Sequence, residues 1–250
     1  MNKERAAYTF QILRYDSKEP EKEPRFAAYR VQALPGLTVL SALLMIRDEM
    51  DGSLGLRCSC RSAVCGSCAM VMNGTIGLAC RTQVAALQAD AIILEPLPNL
   101  EVLKDLVVDM DSFWAMYRKV QPWLVRKSTV PTGEVRQTEE DRNRIDQFVN
   151  CILCAACYGA CAVLARDPDY LGPAALAKLE RFILDSRDER PASALEAVNS
   201  GQGVWGCDTL FKCIEVCPKD VRPTDAIVGL RKSLVKYKVK QLLGMVRDEA

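Results

Sequence analysis

Apolar and polar residues alternate from Tyr8 to Tyr15 (YTFQILRY), the two-residue period of a half-buried strand, and Phe26–Val31 is expected as a second short strand. Between them DSKEPEKEP, residues 16–24, is polar, carries two prolines and reads as a turn or loop. The period then lengthens. Thr38 can cap a helix that places Val39, Leu43, Ile46 and Met50 on one face and stops at Asp51-Gly52, and the plainest meaning of that stripe is a core-facing helix. Asn73-Gly74 is a hairpin signal between two short strands, and Ala91–Leu94 is a further strand followed by Pro96 and Pro98. After Leu106 the pattern turns helical, over Ser112–Val120, Glu139–Val149, Ala174–Leu184 and Ala192–Val198, with prolines at 122, 131, 168, 173 and 191 mostly at the ends. Pro223 opens a last helix running to about Leu243. The expectation is an α+β chain in two domains: a small mixed sheet with one helix over 1–106, and an all-helical domain over 107–250.

The last helix carries an apolar row, Ile227, Leu230 and Leu234, beside a basic surface. From Arg222 to Arg247 there are seven Lys or Arg (222, 231, 232, 236, 238, 240, 247) and one acid, Asp225. Such a helix is either an ordinary solvated amphipathic helix or a surface that meets anionic lipid head groups or a membrane partner. The whole chain, by contrast, has a net charge of only +1, which gives no reason to expect nucleic acid as a partner. Its longest mostly apolar stretch, Leu37–Ile46, is far too short to cross a bilayer, and the opening MNKERAAYTF has no apolar core of a secretion signal.

Composition changes the picture at two residue types. There is no histidine, so a Rieske centre, a histidine-ligated haem, a Ser-His-Asp triad and a Cys2His2 zinc site are excluded from this chain. There are twelve cysteines, and their clustering without an export signal points to metal ligation rather than disulfides.

Their spacing is specific. In LRCSCRSAVCGSCAMVMNGTIGLAC, Cys60, Cys65 and Cys68 have the C-x4-C-x2-C spacing of plant-type ferredoxins, with Cys80 as the remote fourth ligand of a [2Fe-2S] cluster. Gly55 and Gly66 offer positions without a Cβ where the backbone must wrap closely, and Cys58 is left over as a bystander thiol. Further on, CILCAACYGAC (151–161) is a complete bacterial-ferredoxin half-motif, C-x2-C-x2-C-x3-C. CDTLFKCIEVCP (207–218) is a second one in which Leu210 occupies the place of a cysteine. In this motif the last cysteine serves the other cluster. Cys151, Cys154, Cys157 and Cys217 then make a four-thiolate set for a [4Fe-4S] cluster, and Cys161, Cys207 and Cys213 make a three-thiolate set. Leucine cannot bind iron, so the expected occupant of the second set is [3Fe-4S], with less negative charge around the iron and a higher reduction potential.

Taken together, these motifs resemble the iron–sulfur subunit of succinate dehydrogenase and quinol:fumarate reductase. The likeness runs through CRSAVCGSCAMVMNG, LACRT, EPLPNLEVLKDLVVDM, CILCAAC, RFILDSRDER and CDTLFKCIEVCPKDVRPTDAI. It implies a β-grasp, plant-type ferredoxin-like first domain and a helical, bacterial-ferredoxin-like second domain. It also implies electron relay between the FAD of a flavoprotein subunit and a quinone at membrane-anchor subunits, on the cytoplasmic face of the cell membrane. The substrate chemistry would belong to the flavoprotein, so this chain has no catalytic residue of its own. Ubiquinone-linked members often have proline and tryptophans after the cysteine matching Cys161, and histidine after the one matching Cys207. Here Ala162 begins AVLARDPD, and Asp208 follows Cys207. Those departures favour menaquinone, with haem in the anchor as an option, and leave Asp208 and Lys212 either near the quinone or simply on the surface. Two other readings stay open: a zinc-stabilised scaffold without redox function, and an iron–sulfur subunit serving a thiol or heterodisulfide couple. The second of these would call for further cysteine-rich repeats beyond Cys217, of which there are none.

Overall fold

The computed structural model describes residues 7–129 and 132–245; Pro131, Arg247 and the first six residues, all weighed above, lie outside them. The chain folds as two compact units. One is built from the chain up to Met110 together with Ile152–Ala160, the other from Asp111–Cys151 and the chain from Cys161 on.

The first unit is a five-stranded mixed sheet with one helix. Its strands are β1 (Ala7–Arg14), β2 (Arg25–Gln32), β3 (Ala69–Met72), β4 (Thr75–Leu78) and β5 (Ala91–Glu95), in the order β2-β1-β5-β3-β4. The central pair, β1 and β5, is parallel, with Phe10 beside Ile92 and Ile12 beside Leu94. All four of these side chains are buried, the alternation expected of a sheet with one covered face. Thr38 caps helix α1 (Val39–Met45) by accepting a hydrogen bond from the Ser41 amide at 3.1 Å. The helix does not carry its apolar face to Met50 as expected. It widens into a π-turn over Ile46–Met50, where the Asp51 amide reaches back to Ile46 O at 2.8 Å. The extra residue in that turn shifts the helical phase, and Met50 is left half exposed while Ile46 stays buried.

Two short strands, β6 (Val102–Lys104) and β7 (Val107–Val108), form a small separate ladder whose turn carries Asp105. Buried Asp105 accepts from Arg14 Nε at 3.0 Å, Tyr15 N at 3.0 Å and Gly55 N at 2.7 Å. Arg14 also donates to Tyr29 Oη at 2.6 Å, to Ser53 Oγ at 2.8 Å and to Asp51. One satisfied polar network therefore fixes the start of the loop that carries the first cysteines.

The second unit is helical. It contains α2 (Asp111–Lys119), α3 (Glu139–Val149), α4 (Gly172–Ile183) and α5 (Pro223–Leu242), plus one-turn helices at Ala162–Arg166 and Lys212–Glu215 and a 3-10 segment at Ala192–Val198. Thr138 caps α3 by accepting from the Asp141 amide at 3.1 Å, and Glu139, Glu140 and Asp141 in its first turn suit the helix dipole. Helix α4 is buried over most of its surface and packs against α2, α3 and α5. Ile227, Leu230 and Leu234 of α5 are fully buried, so the apolar row read from the sequence is core. One acid goes inward with the apolar residues. Glu180 of α4 is buried against Gly229 of α5, where a Cβ would lie 2.1 Å from its Oε1, and its Oε2 has no hydrogen-bond partner among the described residues. Burial pushes this carboxyl from its ordinary 4.5 up to about 7.

The segment DSRDER, residues 185–190, works as a bracket for the chain ahead of it. Asp188 accepts from the Val125 amide at 3.0 Å, Arg190 donates to Trp123 O at 2.8 Å, and Glu189 accepts from the Lys127 and Ser128 amides at 2.6 and 2.7 Å. Among the described residues, no helix is long and apolar enough to cross a membrane.

Candidate cluster-binding sites

Cys60, Cys65, Cys68 and Cys80 come together in the first unit through one loop and one hairpin. The hairpin turns at Asn73-Gly74, both left-handed (φ 48° and 76°), and sets Cys68 just before β3 opposite Cys80 just after β4. The Ala79 amide donates to Cys68 O at 3.1 Å, which aligns the two ends. Cys60 and Cys65 lie on the loop. There Arg61 and Ala63 are left-handed (φ 56° and 55°), and the alternation turns successive amides toward sulfur.

Cys60 Sγ accepts from the amides of Ser62, Val64 and Cys65 at 3.4, 3.3 and 3.2 Å, and Cys80 Sγ accepts from the Ala63 amide at 3.3 Å. A concavity of inward N–H groups is the environment that favours anionic sulfur, and it fits the charge of a thiolate-bound iron cluster. The thiols feel it unequally. The hydroxyl of Ser67, 3.1 Å away, and neighbouring amides pull Cys65 down to about 6, whereas burial pushes Cys68 up to about 12. Cys58 takes part in none of these N–H···S contacts among the described residues.

Both glycines singled out in the sequence stand at close approaches, though to protein rather than to open loop. A Cβ on Gly55 would lie 2.9 Å from Lys104 Cγ. Gly66 (φ 74°) faces Cys154, and a Cβ there would lie 2.6 Å from Cys154 Cβ. The stretch 152–160 is therefore packed directly against the first cysteine loop within the first unit. Asn99 Nδ2 ties it further, donating to Tyr158 O at 3.0 Å and Gly159 O at 3.1 Å.

The two later motifs share one local conformation, repeated 56 positions apart. Leu153 and Ala155 are left-handed, as are Thr209 and Phe211 (φ 55°, 60°, 60° and 62°). Ala155 and Phe211 lead into one-turn helices, Ala156–Gly159 and Lys212–Glu215, which carry Cys157 and Cys213. Cys161 and Cys217 follow at the same interval. In this repeat Leu210 stands where Cys154 stands, and its side chain is 56% exposed.

Cys161, Cys207 and Cys213 all belong to the second unit, and each of the others bears electrostatically on Cys213. Cys207 Sγ accepts from the Thr209 amide at 3.3 Å, and buried Thr224 Oγ1 lies 3.1 Å from Cys213 Sγ. Arg231 holds the turn before Cys207, donating to Val204 O at 2.8 Å and Cys207 O at 2.9 Å. Cys151 and Cys217, also of the second unit, pack on Phe148, Ala177, Val221 and Ala226, while Cys154 and Cys157 belong to the first. Asp208 and Lys212 are engaged in exposed ion pairs, with Arg166 at 2.5 Å and with Glu215 at 2.7 Å. Among the described residues, no three His, Cys, Asp or Glu side chains are gathered as they would be around a single metal ion.

Sequence reasoning did not find the left-handed residues, the hydroxyls of Ser67 and Thr224 beside cysteine sulfur, or the role of Arg231. Only the first had a signal, the 56-residue interval at which the second motif repeats the first.

Fold and spacing together define a carrier protein with two ferredoxin-type domains, and the comparisons with known proteins agree. Residues 9–115 match the family model for a 2Fe-2S iron-sulfur cluster binding domain, and residues 147–221 that for a 4Fe-4S dicluster domain. The chain is 41% identical over 235 residues to the fumarate reductase iron-sulfur subunit of Mycobacterium tuberculosis, covering 93% of this chain and 95% of that one. It is also 41% identical over 228 residues to the mitochondrial succinate dehydrogenase [ubiquinone] iron-sulfur subunit 1 of Oryza sativa, covering 90% and 81%. The fold matches a chain of the Mycobacterium smegmatis Sdh1 complex in the apo form, with a TM-score of 0.84 over 93% of this chain and 97% of that one at 23% identity. The chain belongs to the family of iron–sulfur subunits of succinate dehydrogenases and fumarate reductases, and so to the succinate:quinone oxidoreductases.

Proposed function

We propose that the chain relays single electrons between the FAD of a flavoprotein partner and a quinone at membrane-anchor subunits, on the cytoplasmic face of the membrane. Cys60, Cys65, Cys68 and Cys80 bind [2Fe-2S]; Cys151, Cys154, Cys157 and Cys217 bind [4Fe-4S]; Cys161, Cys207 and Cys213 bind [3Fe-4S]. When bound, the clusters supply the one-electron carriers. The chain's own residues hold them, aim N–H groups at sulfur and exclude water. The residues Ala162 and Asp208 favour menaquinone over ubiquinone, and haem would sit on the anchor.

The observation that supports this reading best is the packing of Gly66 on Cys154, which brings a [2Fe-2S] loop and a ligand of the next cluster into van der Waals contact. Electron transfer needs such a short path, whereas a scaffold stabilised by separate zinc ions would gain nothing from it. The test is to co-purify the complex, measure iron, acid-labile sulfide, flavin, haem and quinone, and record EPR spectra of the oxidised and reduced protein. Signals of three distinct clusters, with flavin and a naphthoquinone, are expected. A colourless, iron-free holoprotein would overturn the reading.

A further inference from the structure

Tyr170 is the bulkiest of the fully buried side chains, and its Oη completes no hydrogen bond of normal geometry among the described residues. A buried phenol normally finds a partner. The one group that bears on this one as a hydrogen-bonding partner is the Cys207 sulfur, and the contact falls short of normal geometry, so the phenol is aimed at a sulfur whose own partner is a bound group. The ring cannot easily turn elsewhere. The Tyr170 amide donates to Asp167 O at 3.2 Å, the next amide, of Leu171, donates to Gln202 O at 2.8 Å, and a Cβ on Gly206 would lie 3.2 Å from Tyr170 Cδ2. The ring is thus held under the turn that leads to Cys207. The sulfurs that bear on the phenol are those of Cys207, Cys161 and Cys213, all three thiols of one proposed set. A phenol is protonated near neutral pH, so the O–H is available as a donor.

We infer that Tyr170 donates its O–H to a sulfur of the cluster held by Cys161, Cys207 and Cys213, and thereby raises that cluster's reduction potential. The inference rests on the trinuclear assignment proposed above. Reduction adds negative charge to the cluster, and a donor aimed at sulfur stabilises the more negative state more than the less negative one. Tyr170 is a positioning and tuning residue in this reading. It adds to the effect of the missing fourth thiolate and needs no proton transfer.

The experiment uses the intact complex. In wild type, the oxidised trinuclear EPR signal should show coupling to one strongly bound exchangeable deuteron after transfer to D2O. Tyr170→Phe keeps the ring and should retain the signal, lose that coupling and titrate at lower potential. Incorporating 3-fluorotyrosine at position 170, a stronger donor of the same shape, should shift the potential the opposite way, which a purely structural role would not do. If Tyr170→Phe loses the cluster altogether, the deuteron coupling in wild type and the fluorotyrosine shift decide. A wild-type signal without the deuteron coupling, or a Tyr170→Phe potential equal to wild type, overturns the inference while leaving the trinuclear assignment in place. A wild-type complex with no trinuclear signal overturns both.

Discussion

Residues 151–161 and 207–217 follow the same backbone path through left-handed residues at matching places, yet their third-from-first positions live in opposite surroundings. Cys154 is pressed against Gly66, with no room for a larger atom between them, whereas Leu210 is 56% exposed. A repeated conformation therefore does not make the two corners interchangeable. The first is built into a packed contact and tolerates little. The second is an open corner where an exposed leucine stands at the motif's cysteine position. The backbone sets where a ligand could stand, and the surroundings set which changes the protein survives.

The largest effect is expected where the packed corner is disturbed. Gly66→Ala places a Cβ 2.6 Å from Cys154 Cβ and 2.9 Å from its Cα, at φ 74° where L side chains are already strained. Strain and overpacking together should cost about 3 kcal/mol or more. The purified variant should melt well below wild type and lose visible absorbance from the first cysteine loop. A variant with wild-type melting and absorbance would mean that the contact is slack.

The open corner should behave the other way. Leu210→Cys should fold as wild type and allow a fourth thiolate to join Cys161, Cys207 and Cys213. Under the proposed assignment the trinuclear EPR signal is then replaced by that of a tetranuclear cluster with lower potential, and electron exchange with quinone slows. Survival of the unchanged trinuclear signal would show that Leu210 does not stand at the missing corner.

Much of this contrast was legible in the sequence because ligand spacing is local. The intervals among Cys151, Cys154, Cys157 and Cys161, and the leucine in the second copy, need no tertiary information. Helix α3 was legible to its ends because Thr138 and the acids after it mark its start. What escaped was set by non-local packing or by backbone phase. Nothing near Gly66 announces that its neighbour is Cys154, nearly ninety positions away in the chain. The Met50 stripe failed because one extra residue in the turn at Ile46–Met50 shifts the helical phase, and periodicity cannot see that insertion. The Ala192–Val198 helix is a 3-10 segment, consistent with Ser193 competing for local backbone hydrogen bonds in its first turn. Tyr170 escaped because a buried phenol looks like any core aromatic until its hydroxyl is found without a hydrogen bond of normal geometry among the described residues.

A third prediction separates the supports of the two loops. Glu180 is buried against α5, the helix that follows loop 207–217, and burial holds its carboxyl near 7 rather than 4.5. The folded state therefore binds more protons than the unfolded state between those values. The sign is that stability falls as pH rises from about 4.5 to about 7 and is level in this respect above that, a loss of about 3 kcal/mol at most. Glu180→Gln should flatten that part of the pH–stability curve and raise the melting temperature at pH 8. It should also slow amide exchange in α5 more than in α3. An unchanged pH profile would show that the carboxyl finds a partner in solution.

The smallest effect tests the shared backbone itself. Thr209 is left-handed (φ 60°), a conformation that costs a β-branched residue about 1 kcal/mol or more and costs glycine nothing by sterics. Thr209→Gly relieves that cost but adds freedom to the unfolded chain, which offsets part of it. The net should be a stabilisation of about 0.5 kcal/mol, readable as a rise in denaturant midpoint at constant slope. The amide that donates to Cys207 Sγ at 3.3 Å belongs to residue 209 itself, so the glycine variant keeps this donor and should leave the EPR signal of the loaded site unmoved. Leu153, two residues after Cys151 as Thr209 is after Cys207, is also left-handed at φ 55°, and Leu153→Gly should give a gain of similar size. Equal gains at the two positions would mean that the backbones of the two loops are equally strained and that they differ only at their corners. A gain at 209 with a loss at 153 would mean instead that the packed corner depends on the leucine side chain as well as on its conformation.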